Sequence, residues 1–80
     1  MWNNHSLYIG LFIFRTDIKS KKKVKLIKQA LNRNVEVLRW SVDLEDIDNV
    51  LRVEATEFLS EKDIMDLIGE KGFYIQPLPD

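Results

Sequence analysis

The sequence predicts an α+β fold in the order β-α-β-β-α-β, with a four-stranded antiparallel sheet and two helices packed on one face. Three observations indicate this fold: an apolar run near the N-terminus, two helical apolar stripes, and two strictly alternating segments between those stripes. Right-handed crossovers place both helices on the same face. The 80 residues allow a single domain, 1–80, with a core at 7–76 and ends that can be flexible.

The first strand is predicted from Leu7 to Thr16 and is apolar on both faces, which is typical of a central strand. One face carries Leu7, Ile9, Leu11 and Ile13, and the other carries Tyr8, Phe12 and Phe14. If the helices cover the first face, the three rings form an exposed surface that suits a partner or a second copy of the chain. Alternatively, the strand register turns some of the rings into the core.

The first helix is predicted to follow Ser20, whose hydroxyl can accept a hydrogen bond from an orphan amide of the first turn. Val24, Ile27 and Leu31 recur with helical spacing and form a stripe that faces a sheet. Residues 32–34, Asn-Arg-Asn, are expected to end this helix.

Two strands joined by a polar turn are predicted next. Apolar and polar residues alternate through Leu38–Leu44 and again through Leu51–Ala55, which indicates a hairpin with one wet face. Residues 45–49 form the turn between them. Neither middle strand carries the aromatic motif of RNA-recognition domains, and the second half of the chain is acidic, so the sequence argues against nucleic-acid binding.

The second helix has the clearest start signal, because Ser60-Glu61-Lys62-Asp63 fits the capping-box pattern. Its buried stripe is predicted to comprise Ile64, Leu67 and Ile68, with Met65 at the margin. These elements, with a last strand, complete a ferredoxin-like order.

The second helix is expected to end at Gly72 in a left-handed conformation. The last strand is predicted at 73–76, and Pro77 and Pro79 indicate an edge position or a free tail.

Four short segments resemble the heavy-metal-associated domain, the family of small copper chaperones and of the N-terminal domains of copper pumps. They are Ala30-Leu31 in the first helix, Glu36-Val37 at the start of the second strand, Trp40–Glu45 along it, and Leu67–Phe73 at the end of the second helix. The resemblance implies a ferredoxin-like fold and copper bound by a Met-x-Cys-x-x-Cys loop.

The corresponding loop here departs from that pattern. Ile18 falls at the family's methionine, Ser20 at its first cysteine and Lys23 at its second, and the chain contains no cysteine. Copper(I) needs thiolate or thioether ligands, which a serine hydroxyl and an ammonium group do not replace. No cofactor and no metal ligands are therefore predicted, although a role beside copper handling stays open.

The same loop is strongly basic and is the candidate binding site. Its residues are Lys19, Ser20, Lys21, Lys22, Lys23 and Lys25. Residues 15–39 hold nine basic and two acidic side chains, a net charge of +7, whereas residues 40–80 hold three basic and eleven acidic ones, a net charge of −8. Lysines at the positive end of a helix dipole suit an anionic group. The alternative is a solvated lysine run, or one that meets the chain's own acidic half.

The sequence gives little support for a calcium site, for an enzyme or for a membrane span. The acids Asp43, Glu45, Asp46 and Asp48 lack the spacing and the glycine of a calcium loop. No serine has a nucleophile-elbow context, and no glycine-rich phosphate loop is present. The apolar run 7–14 is too short to span a membrane, and no secretion signal precedes it, so a cytoplasmic location is expected.

The sequence therefore predicts a non-enzymatic protein-binding or anion-binding domain that uses its basic loop. Two alternatives are a copper-handling or soft-metal-handling accessory that binds metal weakly or with a partner, and a homodimer joined through the sheet face.

Overall fold

The computed structural model describes residues 9–78 and has the predicted element order. The elements are β1 (Ile9–Thr16), α1 (Lys21–Arg33), β2 (Val37–Val42), β3 (Leu51–Thr56), α2 (Glu61–Gly69) and β4 (Ile75–Pro77). The four strands form one sheet in the order β2-β3-β1-β4, and every pairing is antiparallel. The ferredoxin-like fold predicted from the sequence is confirmed, with β1 central and β4 at an edge.

The core lies between one face of the sheet and the two helices. Its buried side chains come from both helices, from β1 and β3, and from the segments that enter each helix: Phe14, Ile18, Ile27, Leu31, Leu51, Val53, Ala55, Leu59, Ile64 and Ile68. The predicted stripes of both helices thus supply the buried contacts, although Val24 and Leu67 are only half-buried. Burying such side chains contributes about 1.5–3 kcal/mol each relative to full exposure.

The aromatic face of β1 points toward the helices, and the prediction of an exposed Phe12 and Phe14 surface is wrong. Phe14 is fully buried and Phe12 packs against the core, with the two ring centroids 6.5 Å apart. The register explains the burial: Phe12 lies opposite Val53, whose side chain belongs to the core, and residues paired across antiparallel strands share a face. Tyr8 and Leu7 lie outside the described residues.

The opposite face of the sheet is therefore open, and β1 presents its aliphatic row there. Ile9 and Leu11 remain 61% and 57% exposed, and Ile13 is half-buried. This arrangement is the alternative in which the strand register turns the rings into the core. The strand is apolar on both sides, so its composition alone could not distinguish the two faces.

A bulge interrupts β2 where strict alternation had been predicted. Val37 pairs with Ala55 and Arg39 with Glu54, which leaves Leu38 without a partner of its own. Leu38 is consequently 52% exposed, whereas Val37 packs against the core. An extra residue of this kind resets the side-chain alternation along a strand.

The predicted hairpin turn begins earlier than expected. The β2 strand ends at Val42, and the side chain of Asp43 accepts a hydrogen bond from the backbone N–H of Glu45 at 3.0 Å. Asp46 accepts from the N–H of Asp48 in the same way at 2.8 Å. These side-chain turns take the backbone out of the ladder.

Gly72 is left-handed as predicted, with φ +90°, but α2 already ends at Gly69, so Gly72 lies in the turn that leads to β4. The backbone N–H of Tyr74 donates to the carboxylate of Asp17 at 2.9 Å. The strand β4 therefore begins at Ile75, two residues later than predicted. Within residues 9–78, neither helix is long and apolar enough to cross a membrane.

Candidate functional site

The candidate site is the connection between β1 and α1, and its first anchor is a buried hydrogen-bond chain. The Thr16 hydroxyl donates to the carbonyl of Asn49 at 2.7 Å and accepts from the N–H of Ile18 at 3.1 Å. The Thr16 N–H also donates to the carbonyl of Asp48 at 3.0 Å. Because Thr16 and Asn49 are both buried, these bonds tie the loop firmly to the β2–β3 turn.

Two further contacts hold the loop between the ends of the sheet. Ile18 is fully buried and inserts into the core. On the other side, the carboxylate of Asp17 accepts the N–H of Tyr74, which joins the loop to the segment entering β4. Residues 16–18 therefore position the start of α1 through three distant parts of the chain.

Ser20 caps α1 as predicted. Its backbone is extended (φ −150°, ψ 160°), and its hydroxyl oxygen accepts the N–H of Lys23 at 3.2 Å. The carbonyl of Ser20 accepts the N–H of Val24 at 3.0 Å, the first bond of the helix. The Ser20 side chain thus already serves the helix backbone.

The three positions that the sequence resemblance aligns with the metal loop of heavy-metal-associated domains carry no sulfur atom. Ile18 is committed to the core, Ser20 to the helix cap, and Lys23 offers an exposed ammonium group. Copper(I) prefers sulfur donors, and the chain has no cysteine. Among the described residues, no group of three or more histidine, cysteine, aspartate or glutamate side chains is placed to hold a metal ion.

The structure leaves the lysines of this loop open to solvent. The exposed members are Lys19, Lys21, Lys22, Lys23 and Lys25. The first turn of α1 contains no acidic residue, and no ion pair within 4 Å joins these lysines to a carboxylate of residues 9–78. The alternative in which the basic loop meets the chain's own acidic half is therefore not what the described part of the chain shows.

In the acidic half of the chain, residues 40–80, carboxylates at the start of α2 form hydrogen bonds with nearby residues. At the start of α2, Ser60 and Asp63 form the predicted capping box: the hydroxyl accepts the N–H of Asp63 at 3.1 Å, and the carboxylate accepts the N–H of Ser60 at 3.0 Å. The backbone hydrogen bond from Ser60 lowers the pKa of Asp63. The hydrogen bond with Asp66, 2.9 Å away, raises the pKa of Lys62.

The acids of the hairpin turn support backbone and sheet. Asp43 and Asp46 accept backbone N–H groups, and Asp48 forms an ion pair with Arg15 at 3.2 Å. Asn49 then turns the chain with φ +44°, a conformation that asparagine tolerates. These contacts assign the acids a structural role in the turn.

Comparisons with known proteins agree on the fold. The chain is similar in structure to the CsoZ metallochaperone, with 17% sequence identity and a TM-score of 0.74 over 86% of this chain and 99% of that one. It is similar to the apo form of the HMA domain of the copper chaperone for superoxide dismutase, with 16% identity and a TM-score of 0.76 over 99% of this chain and 76% of that one.

Two solution structures match equally well. One is a copper-ion-binding protein from Bacillus anthracis, with 18% identity and a TM-score of 0.75 over 89% of this chain and all of that one. The other is the Atx1-Cu(I)-Ccc2a complex, also with 18% identity and a TM-score of 0.75, over 88% and 96% of the two chains. No protein-family model and no curated sequence matches the chain. The chain thus has a fold like that of heavy-metal-associated domains.

Sequence reasoning identified the Ser20 cap and the lysines but missed what anchors them. The bond from Thr16 to Asn49 joins residues 33 positions apart, so no local pattern reports it. The exposed aliphatic row of β1 was also missed, and the only available signal was the polar set of Arg39, Ser41 and Arg52 on the neighbouring strands.

Proposed function

We propose that this chain is a non-enzymatic binding domain that presents its basic loop and the start of α1 to an acidic surface of a partner protein. The observation that carries the proposal is a row of exposed lysines at the N-terminus of a helix whose first turn holds no acid. Free N-terminal amides, the helix dipole and the ammonium groups all favour an anionic partner.

Rigid anchoring supports a binding role for this loop. Thr16, Asp17 and Ile18 hold the segment immediately before Ser20 to the turn, to the β4 entry and to the core. A surface that is positioned before binding loses less conformational entropy when a partner docks. In this proposal the lysine side chains adjust to the partner, and the contacts of residues 16–18 hold the backbone that precedes them.

One structural neighbour supports a protein as the partner in this proposal. It is a complex between Atx1 and Ccc2a, so a chain with this fold associates with another protein. We propose a comparable protein contact for this chain, made through the lysines of its basic loop. Its cellular location would then be that of its partner, and a cytoplasmic one remains our expectation.

An NMR titration with a hexaglutamate peptide tests the binding mode. We expect the amides of residues 20–25 to shift in a saturable manner at moderate salt. Lys22→Glu combined with Lys23→Glu should weaken binding at least tenfold, because each substitution replaces an attraction by a repulsion.

Lys71→Glu combined with Lys62→Glu is the matched control, since it changes the net charge equally at exposed positions on and just after α2. This control should weaken binding less than threefold. Equal losses in both double variants would show that only net charge matters, and unshifted amides at 20–25 would reject the site.

A copper-handling role is the second candidate, because the structural neighbours include metallochaperones and copper chaperones. We expect no Cu(I) retention by the natural chain in competition with a chelator. The variant Ser20→Cys with Lys23→Cys should gain Cu(I), since the sequence resemblance aligns these two positions with the family's cysteines. Retention by the natural chain that survives Ser20→Ala and Lys23→Ala would locate a different metal site and favour this second role.

A further inference from the structure

The open face of the sheet combines an apolar row with unpaired charges. The row is Ile9, Leu11 and Ile13 of β1, which point away from the helices. On β2 and β3, the side chains that alternate with core residues point the same way, and they are polar: Arg39, Ser41, Arg52 and Glu54. This face lies on the opposite side of the sheet from α1 and its lysines.

A depression of about 150 Å³ lies where these two sets meet. It is lined by Leu11, Arg39, Trp40, Ser41, Arg52 and Glu54. The register brings the groups together: Glu54 lies opposite both Leu11 and Arg39, and Arg52 lies opposite Ser41. Arg39 and Arg52 are thus diagonal neighbours on adjacent strands, close enough for both side chains to reach one ligand.

The charges around the depression are unbalanced. Two guanidinium groups border it against the single carboxylate of Glu54, and neither Arg39 nor Arg52 lies within 4 Å of a carboxylate among residues 9–78. Arg15, at the other end of the row, is neutralised by Asp48. Arginine pairs carboxylates in a bidentate geometry and is favoured in interfaces.

We infer that this face binds an acidic, partly apolar segment of a different protein, with a carboxylate held between Arg39 and Arg52. The aliphatic side chains of the segment cover Leu11 and its neighbours in the β1 row. A segment with alternating acidic and aliphatic residues presents both kinds of contact to such a surface.

Charge argues against a second copy of the chain, and the lack of stacking surfaces on the described part of this face argues against a nucleic acid. A second copy of the chain would bring two more arginines for each glutamate and so would add to the positive excess. A single-stranded nucleic acid stacks its bases on exposed rings, whereas within residues 9–78 the depression is lined by one ring, that of Trp40, which is half-buried against the core. The acidic peptide satisfies both the apolar row and the arginines.

A capped octapeptide of alternating glutamate and valine is a suitable probe, with the glutamine-valine peptide as its control. We expect saturable NMR shifts at Leu11, Arg39 and Arg52 with the acidic peptide only. Arg39→Gln combined with Arg52→Gln should weaken binding at least tenfold, whereas Glu54→Gln should strengthen it about twofold by removing a repulsion.

Lys62→Gln combined with Lys71→Gln serves as the charge-matched control and should change the affinity less than twofold, because these exposed lysines lie on and just after α2, away from this face. Three results would overturn the assignment: no saturable shifts up to millimolar peptide, equal binding of the glutamine peptide, or shifts confined to residues 19–25. Sedimentation showing a dimer that the two arginine substitutions dissolve would instead assign the face to a second copy. Tighter binding of a single-stranded oligonucleotide at the same residues would also refute the peptide assignment.

Discussion

The two helices of this domain begin in opposite ways. At the start of α2, Ser60 and Asp63 bond each other's backbone N–H groups, and two acids lie in the first turn, where the helix dipole favours them. At the start of α1, Ser20 makes a single capping bond, and three lysines occupy the first turn. One helix start is arranged for stability, and the other carries charges that oppose its dipole.

The segments before the two caps differ as well. Leu59 directly precedes Ser60 and belongs to the core with Ile64 of the second turn, the spacing of a hydrophobic staple. Lys19 occupies the equivalent place before Ser20 and is exposed, and the core anchor is Ile18 instead. The start of α1 is therefore fixed by the loop before it, whereas the start of α2 is fixed by local contacts within residues 59–64.

The largest expected effects concern these two anchors. Ile18→Ala should lower the free energy of unfolding by about 3 kcal/mol and Leu59→Ala by about 2 kcal/mol, because Ile18 is completely buried and Leu59 retains 7% exposure. Chemical denaturation monitored by tryptophan fluorescence would measure both. A larger loss of stability for Leu59→Ala than for Ile18→Ala would contradict the view that α1 depends more on its anchor than α2 does.

Removing the capping serines should cost less stability than removing these anchors, and here the larger loss is expected at α2. Ser60→Ala removes one half of a reciprocal pair and should cost about 1–2 kcal/mol, whereas Ser20→Ala should cost about 0.5–1 kcal/mol. Denaturation midpoints of the two variants, compared at neutral pH, would test the order. Threonine at either position is the conservative control and should restore most of the loss.

Charge reversal in the first turn of α1 should raise stability. Lys21→Glu or Lys22→Glu replaces a repulsion with the helix dipole by an attraction, for a gain of about 0.3–1 kcal/mol at low salt. The same substitutions should weaken binding of an acidic probe. Thermal denaturation at two salt concentrations would check the gain, which should shrink as salt rises. A loss of stability would contradict our view of this helix start.

The last effect depends on pH. The pKa of Asp63 is lowered in the folded state, so its stabilising contribution is present above its ordinary value of 3.8 and is lost as pH falls through the folded pKa. The wild type should therefore exceed Asp63→Asn in stability at pH 7, and the difference should narrow progressively below about pH 4. Urea denaturation of both proteins across this range measures it, and a constant difference would refute the linkage.

Local signals in the sequence predicted the elements well. The Ser20 cap and the capping box at Ser60 each depend on a few neighbouring residues, and both were found as predicted. Gly72 is left-handed as predicted, although α2 ends before it, at Gly69. The hairpin and the position of the β4 edge also followed from alternation and from proline. Together these signals were enough to specify the fold.

Features that depend on partner strands could not be predicted in this way. The orientation of Phe14 is decided by its pairing with Leu51, and the bulge at Leu38 leaves no mark on the alternating pattern. At the candidate site, the lysines were apparent from composition, but the Thr16 chain that anchors them was not. The depression beside Arg39 and Arg52 needed the register of three strands.

The bulge in β2 has a consequence for how this protein can be approached by others. An outer strand with regular spacing is a template on which a foreign strand can add, but β2 is distorted at Leu38, and the three-residue β4 at the other border contains Pro77. Both margins of the sheet thus discourage lateral growth into ribbons or fibrils. Other proteins can then bind at the faces of the domain, where charge rather than backbone hydrogen bonding determines which of them bind.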